Sequence, residues 1–206
     1  MKKLASTFPN MVLSLGLITA LAGALLGVIY DITKEPIEEQ ARQAQIQAIR
    51  EVAPEFDNNP QEQAKTFTID GNEFVVYPAY NKGKLEGAAV KGLSMNGFSG
   101  EIDVMAGFNL DGSIRDYRVL QQAETPGLGS RMEMWFRDPA GARSVIGKNP
   151  AETPLYVVKD TEQHGAIDGI TAATISSRAF LESLRSAYEA YRQYALSENN
   201  ELKEHL

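Results

Sequence analysis

Two threonines, Thr171 and Thr174, stand three residues apart in the run Asp168-Gly169-Ile170-Thr171-Ala172-Ala173-Thr174-Ile175-Ser176-Ser177. The run is a loop of small and hydroxyl-bearing residues that leads directly into a long helical pattern. A helix start leaves backbone N–H groups unpaired and carries the positive end of the helix dipole. Such an end suits an anion, and phosphate above all. Thr is also a favoured N-cap, so either hydroxyl would serve simply to close the helix. The residue types alone leave both uses open.

A second run, Glu124-Thr125-Pro126-Gly127-Leu128-Gly129, has turn chemistry of its own. Pro followed by Gly signals a type II turn, and the further glycine releases the chain into the next element. Glycine also allows backbone N–H groups to approach a flat ligand with no Cβ in the way.

Together the two runs resemble the FMN-binding domain family. Its flavinylation signature is approximately Asp-x-x-(Ser/Thr)-Gly-Ala-Thr-x-(Ser/Thr), and a Glu-Thr-Pro-Gly-Leu-Gly element accompanies it. The resemblance covers most of residues 75 to 192, and Gly97-Phe98-Ser99-Gly100 and Asp111-Gly112 also fit it. It implies that Thr174 carries FMN through a phosphoester bond. It also implies that Glu124, Thr125, Gly127, Leu128 and Gly129 lie near the isoalloxazine, and that Thr171, Ala172 and Ala173 border the phosphate. Asp168 is implicated in transferase recognition or metal-assisted transfer, and otherwise reads as an ordinary turn residue. Lys159 is a candidate to neutralise the phosphodiester, or else a solvated surface charge. Two positions depart from the family: Ala172 stands where Gly is usual, and Gln122 where a His is frequent. The first matters because Ala reaches positive φ only at a cost. An ionised Glu124 beside the ring would disfavour an anionic reduced flavin and lower its potential.

Residues 11–30 form an uncharged apolar run of 20 residues, long enough to cross a bilayer core. Lys2 and Lys3 precede it, which favours an N-terminus on the cytoplasmic side; Asp31, Glu35, Glu38 and Glu39 on the far side count little in that rule, and Lys34 and Arg42 there reduce the contrast. A cleavable signal peptide, cut after Ala22-Gly23-Ala24, is the alternative. Cleavage there would leave Leu25, Leu26, Val28 and Ile29 exposed, so a retained anchor is the reading adopted. The sequence thus divides into a cytoplasmic tail (1–10), a transmembrane helix (11–30), a linker helix and loop (31–65) and an extracytoplasmic FMN-binding domain (66–206). The length and single anchor resemble the G subunits of Rnf-type ion-translocating electron-transport complexes. The C subunits of sodium-translocating NADH:quinone reductases are close relatives. The implied partners are the other membrane subunits and, during maturation, a flavin transferase. The implied activity is electron relay rather than independent catalysis, in the cytoplasmic (inner) membrane. A flavin-free, membrane-tethered assembly module is the alternative from another class.

Composition removes other chemistries. The chain has 27 acidic and 20 basic residues, a net charge of −7, and no basic stripe to bind nucleic acid. It has no cysteine and only two histidines, His164 and His205, so no metal or catalytic set is expected. No nucleophile elbow or Gly-x-Gly-x-x-Gly run is present.

The elements that position the two runs follow from periodicity. Ile37, Ala41, Ala44, Ala48 and Val52 recur at helical spacing and predict a helix from about Thr33 to Pro54, with Ile46, Ile49 and Ala53 as a second row. Alternation over 66–69, 73–79, 85–91, 101–108 and 114–120 predicts five strands, with hairpin turns at Asp70-Gly71-Asn72 and Asp111-Gly112. A short helix is predicted over 131–137, another strand over 155–159, and a final helix over 174–196. The apolar face of that last helix is Phe180, Leu181, Leu184, Ala187, Tyr188, Tyr191 and Tyr194. The expected fold is α+β: an antiparallel sheet with flanking helices, preceded by one transmembrane helix.

Overall fold

The computed structural model describes residues 7–69, 71–161 and 165–198. Asp70 of the first predicted hairpin turn, His164 and His205 lie outside them. The chain forms two compact units, Met1–Ala44 and Gln45–Leu206.

One uninterrupted helix, α1 (Phe8–Val52), replaces the two helices expected on either side of residue 31. Nothing at Asp31–Lys34 breaks a helix, and the Thr33 hydroxyl donates back to the Ile29 carbonyl at 2.8 Å. Pro36 lies inside it, where the only backbone bond forfeited is that to the exposed carbonyl of Ile32. In the first unit its leucines, among them Leu13, Leu17, Leu21 and Leu25, are exposed. It is the one helix among the described residues long and apolar enough to cross a membrane.

The second unit is built on a five-stranded antiparallel meander in sequence order. Its strands are β1 (Lys65–Ile69), β2 (Asn72–Asn81), β3 (Lys84–Gly97), β4 (Gly100–Asn109) and β5 (Ile114–Gln121). Side chains alternate across it as the period of two requires. Val76, Ala88, Val90, Val104, Ala106 and Phe108 face the final helix, α3 (Thr174–Glu198). The predicted apolar face of α3 is buried in full. Tyr77, Ala79, Ala89 and Met105 face the opposite way, onto Ala48, Ile49, Val52 and Ala53. Both predicted rows of α1 therefore contribute, but only through their last turns; Ile37 is exposed. Glycines permit these close approaches: a Cβ at Gly92 would lie 3.0 Å from the Ala187 Cβ.

After β5 the chain makes a 3-10 turn over Gly129–Arg131 and a short helix, α2 (Met132–Trp135), two residues shorter than expected at its end. Phe136 leaves helical geometry there, and Arg137 and Asp138 close back onto the Met134 and Trp135 carbonyls. Tyr117 on β5 donates its hydroxyl to the Met132 carbonyl at 2.8 Å, and Glu133 accepts from the Val119 N–H at 2.8 Å. The loop between β5 and α2 is thereby held at both ends. The strand expected over 155–159 is reduced to one parallel bridge, Val157 to Ile167. Leu155 and Val157 do point inward, but Asp160 turns back onto the Val157 carbonyl at 2.8 Å, so no ladder can extend.

Candidate functional site

The two runs meet. A cavity of about 350 Å³ is lined by Phe98, Glu124, Thr125, Leu128, Gly129, Ala172, Ala173, Thr174, Ile175 and Ser176. Three segments build it: the β3–β4 turn, the loop after β5, and the start of α3.

The loop after β5 is the type II turn its residues require. The Leu128 N–H donates to the Thr125 carbonyl at 3.1 Å, with Pro126 and Gly127 between them and Gly127 at φ 77°. The Ser130 hydroxyl accepts from the Gly127 N–H at 3.1 Å and closes the turn from below. Gln122 accepts from the Glu124 N–H at 2.6 Å. The amide that replaces the family's frequent His thus anchors the backbone at the entrance to the loop.

At α3 neither threonine is the cap. The first i→i−4 bond runs from the Ser177 N–H to the Ala173 carbonyl at 3.0 Å, which makes Ala173 the N-cap and Thr174 the first helical residue. The N–H groups of Thr174, Ile175 and Ser176 precede that bond, and all three residues line the cavity. The Ser177 hydroxyl instead accepts from the Ile170 N–H at 2.9 Å and donates to the Ala173 carbonyl, which pins the loop from behind. Ala172, the other departure from the family, has φ 61°, in the left-handed region where Gly is favoured.

Glu124 is 4 % exposed. Its Oε1 accepts from the Ser99 N–H at 3.1 Å and its Oε2 from the Ser176 hydroxyl at 2.6 Å. It is the one carboxylate among the described lining residues, which include no Lys, Arg or His. An anion at the mouth of α3 would therefore be met by hydroxyls, backbone N–H groups and the helix dipole.

Four of the residues singled out from the sequence do not line the cavity, the first being Gly127, which is exposed in the type II turn. Thr171 is exposed on the preceding turn. Asp168 holds the loop's base: its carboxylate accepts from the Ala142 N–H at 3.0 Å and its carbonyl from the Trp135 indole at 2.8 Å. The guanidinium groups of Arg131 and Arg143 both lie over the Trp135 ring, 5.3 and 4.3 Å from its centroid. Lys159 is exposed beside Asp160, whose carboxyl is held below its ordinary range first by a hydrogen bond from Arg178. Conversely, Phe98, Ile175 and Ser176 line the cavity and were not singled out. Ser176 had a readable signal, two residues beyond Thr174 in the first helical turn. Phe98 had one too, as the bulky residue in a Gly-x-x-Gly turn.

The shape and donor set fit a flavin nucleotide: an apolar slot between Phe98, Leu128 and Ile175, ending at a helix N-terminus with small residues around it. Residues 97–189 match the family described as the FMN-binding domain, and residues 1–52 match the RnfG N-terminal region. The G subunit of an ion-translocating oxidoreductase complex from Stutzerimonas stutzeri is 30% identical over 194 residues, covering 92% of this chain and 83% of that protein. The like-named protein of Aliivibrio fischeri (strain MJ11) is 27% identical over 198 residues, covering 92% of each chain. Among solved structures, Shewanella oneidensis NqrC aligns over 66% of this chain and 75% of its own at 17% identity, with a TM-score of 0.40.

Proposed function

The chain belongs to the family of G subunits of ion-translocating oxidoreductase complexes, and from that premise we propose that it carries FMN on Thr174 through a phosphoester bond and relays electrons within such a complex. FMN supplies the redox chemistry; the protein supplies attachment, orientation and local charge. The observation that supports this reading best is the convergence of the Thr125–Gly129 turn and the first turn of α3 on one cavity.

Thr174 is the hydroxyl best suited to the bond. It lines the cavity as the first helical residue, where the helix dipole favours the negative charge of a phosphodiester. Ser176 and Ser177 are both already engaged in hydrogen bonds, and Thr171 lies outside the lining. Leu128 and Phe98 flank the slot that would receive the ring, and Gly129 beside them leaves room for Glu124 and Ser176 to close up behind it. Covalent attachment keeps a shallow site filled where free FMN is scarce, because rebinding becomes intramolecular.

The helix of the first unit is read as a single membrane span over residues 11–30, with residues 66–206 as the extracytoplasmic domain. The lysines before the span support that orientation. A flavin transferase would load the domain on that side, and the other membrane subunits of the complex would exchange electrons with it. The matched N-terminal region favours the G subunit over its quinone-reductase counterpart.

The test is fluorescence in a denaturing gel, on protein produced with a flavin transferase. Wild type and Thr171→Ala should fluoresce and Thr174→Ala should be dark. A dark wild type, with the transferase active on a control, would leave Thr174 a helix residue and favour the assembly module.

A further inference from the structure

We propose that Glu124 is the positioning residue of the cavity: its carboxylate clamps the β3–β4 turn to the first turn of α3 and so fixes the separation of the two lips. One oxygen takes the Ser99 N–H at 3.1 Å and the other the Ser176 hydroxyl at 2.6 Å. Those partners belong to segments 77 residues apart (176 − 99) that meet across the cavity. Phe98 stands on one lip, and Thr174 and Ile175 on the other.

Three features distinguish a clamp from a buried carboxylate that simply stabilises a helix end. A capping side chain bonds the orphan N–H groups of the first turn directly. Glu124 instead takes a side-chain hydroxyl, which leaves the N–H groups of Thr174, Ile175 and Ser176 to the cavity. The surrounding backbone is also cut to fit both of its oxygens. A Cβ at Gly97 would lie 2.7 Å from Oε1, and one at Gly129 2.8 Å from Oε2. Finally, the Glu124 backbone is fixed by the Gln122 side chain at 2.6 Å, so the clamp is anchored at its root.

The clamp is a property of the chain without flavin; only its consequence for the ring rests on the flavin reading. The first arm of the test is therefore amide exchange on the full-length chain in detergent, made without a transferase. In Glu124→Ala the Ser99 amide loses an ionised acceptor, and its exchange should quicken by about tenfold or more. In Glu124→Gln the amide oxygen can still accept from Ser99 while its NH2 donates to Ser176, so exchange should stay within about threefold of wild type. Ser176→Ala keeps the carboxylate but frees one end, and should quicken Ser99 exchange by about threefold or more. Unchanged Ser99 exchange in both Glu124→Ala and Ser176→Ala overturns the clamp. If Glu124→Ala fails to fold, seen by Trp135 fluorescence, Ser176→Ala decides alone.

The second arm uses protein loaded by a transferase. The visible circular dichroism of the flavin should fall toward that of free flavin in Glu124→Ala and be retained in Glu124→Gln. An unchanged signal in Glu124→Ala overturns the positioning role. A wild type that takes up no flavin removes the flavin reading and leaves the clamp to the exchange arm.

Discussion

Replacing Ala172 by glycine should stabilise this protein, although it removes a side chain from the rim of the site. Ala172 has φ 61° and is exposed, so its methyl group packs on little while crowding its own carbonyl. A left-handed conformation costs a non-glycine residue roughly 1–2 kcal/mol. Glycine relieves that cost but loses about 0.4–1 kcal/mol through the greater freedom of its unfolded chain. The net gain lies between about 0 and 1.6 kcal/mol and centres on about 0.8, or a midpoint rise of about 2–3 °C at that centre for a unit of this size. Gly127→Ala is the mirror experiment: φ is 77° and nothing lies within 4 Å of an added Cβ, so the same backbone cost appears with the opposite sign. The assay is denaturant unfolding of the full chain in detergent, followed through the single tryptophan, Trp135, which lies in the same unit. A loss of stability on Ala172→Gly, or a gain on Gly127→Ala, would refute the backbone reasoning.

Other consequences follow from the same geometry. Gly129→Ala would place a Cβ 2.8 Å from both the Glu124 Oε2 and the Ser176 Cβ, and should destabilise by about 1–3 kcal/mol, measured by the same unfolding assay. In flavin-loaded protein, Glu124→Gln should raise the flavin potential, because a buried negative charge disappears from the cavity wall while both hydrogen bonds can persist; redox titration reads it. The lowered Asp160 carboxyl contributes stability that is present above its unfolded value and lost as pH falls through the folded one. Arg178→Ala should return Asp160 toward the ordinary carboxylate range in an NMR titration.

How much of this was legible beforehand depended on whether the cause was local. The hairpin turns, the alternation of Val104, Ala106 and Phe108 and the stripe on α3 are all local patterns, and the meander with its covering helix follows from them. The type II turn at Pro126-Gly127 was equally readable, since those two residues set their own dihedrals. Length was harder. The 155–159 segment has a strand's alternation, yet whether a ladder forms depends on a partner far along the chain, and only Ile167 arrives. The break expected near residue 31 reflected a change in composition, from apolar to charged, to which backbone hydrogen bonding is indifferent. In the site, residue types named Thr125, Thr174 and Gly129 of the lining but not Ser176. They could not show that Glu124 turns away from a direct cap to bridge Ser99 and Ser176, because those contacts span the fold. The cap itself was misleading: threonine propensity pointed to Thr171 or Thr174, and the chain uses Ala173, with Ser177 stabilising the loop from inside the helix.

The most direct measurement is fragmentation mass spectrometry of the peptide bearing residues 168–178, from protein produced with a flavin transferase. Covalent attachment predicts the mass of an FMN phosphoester localised to Thr174, and its absence in Thr174→Ala. An unmodified peptide from a wild-type chain, or a modification on Thr171, Ser176 or Ser177 instead, would contradict it.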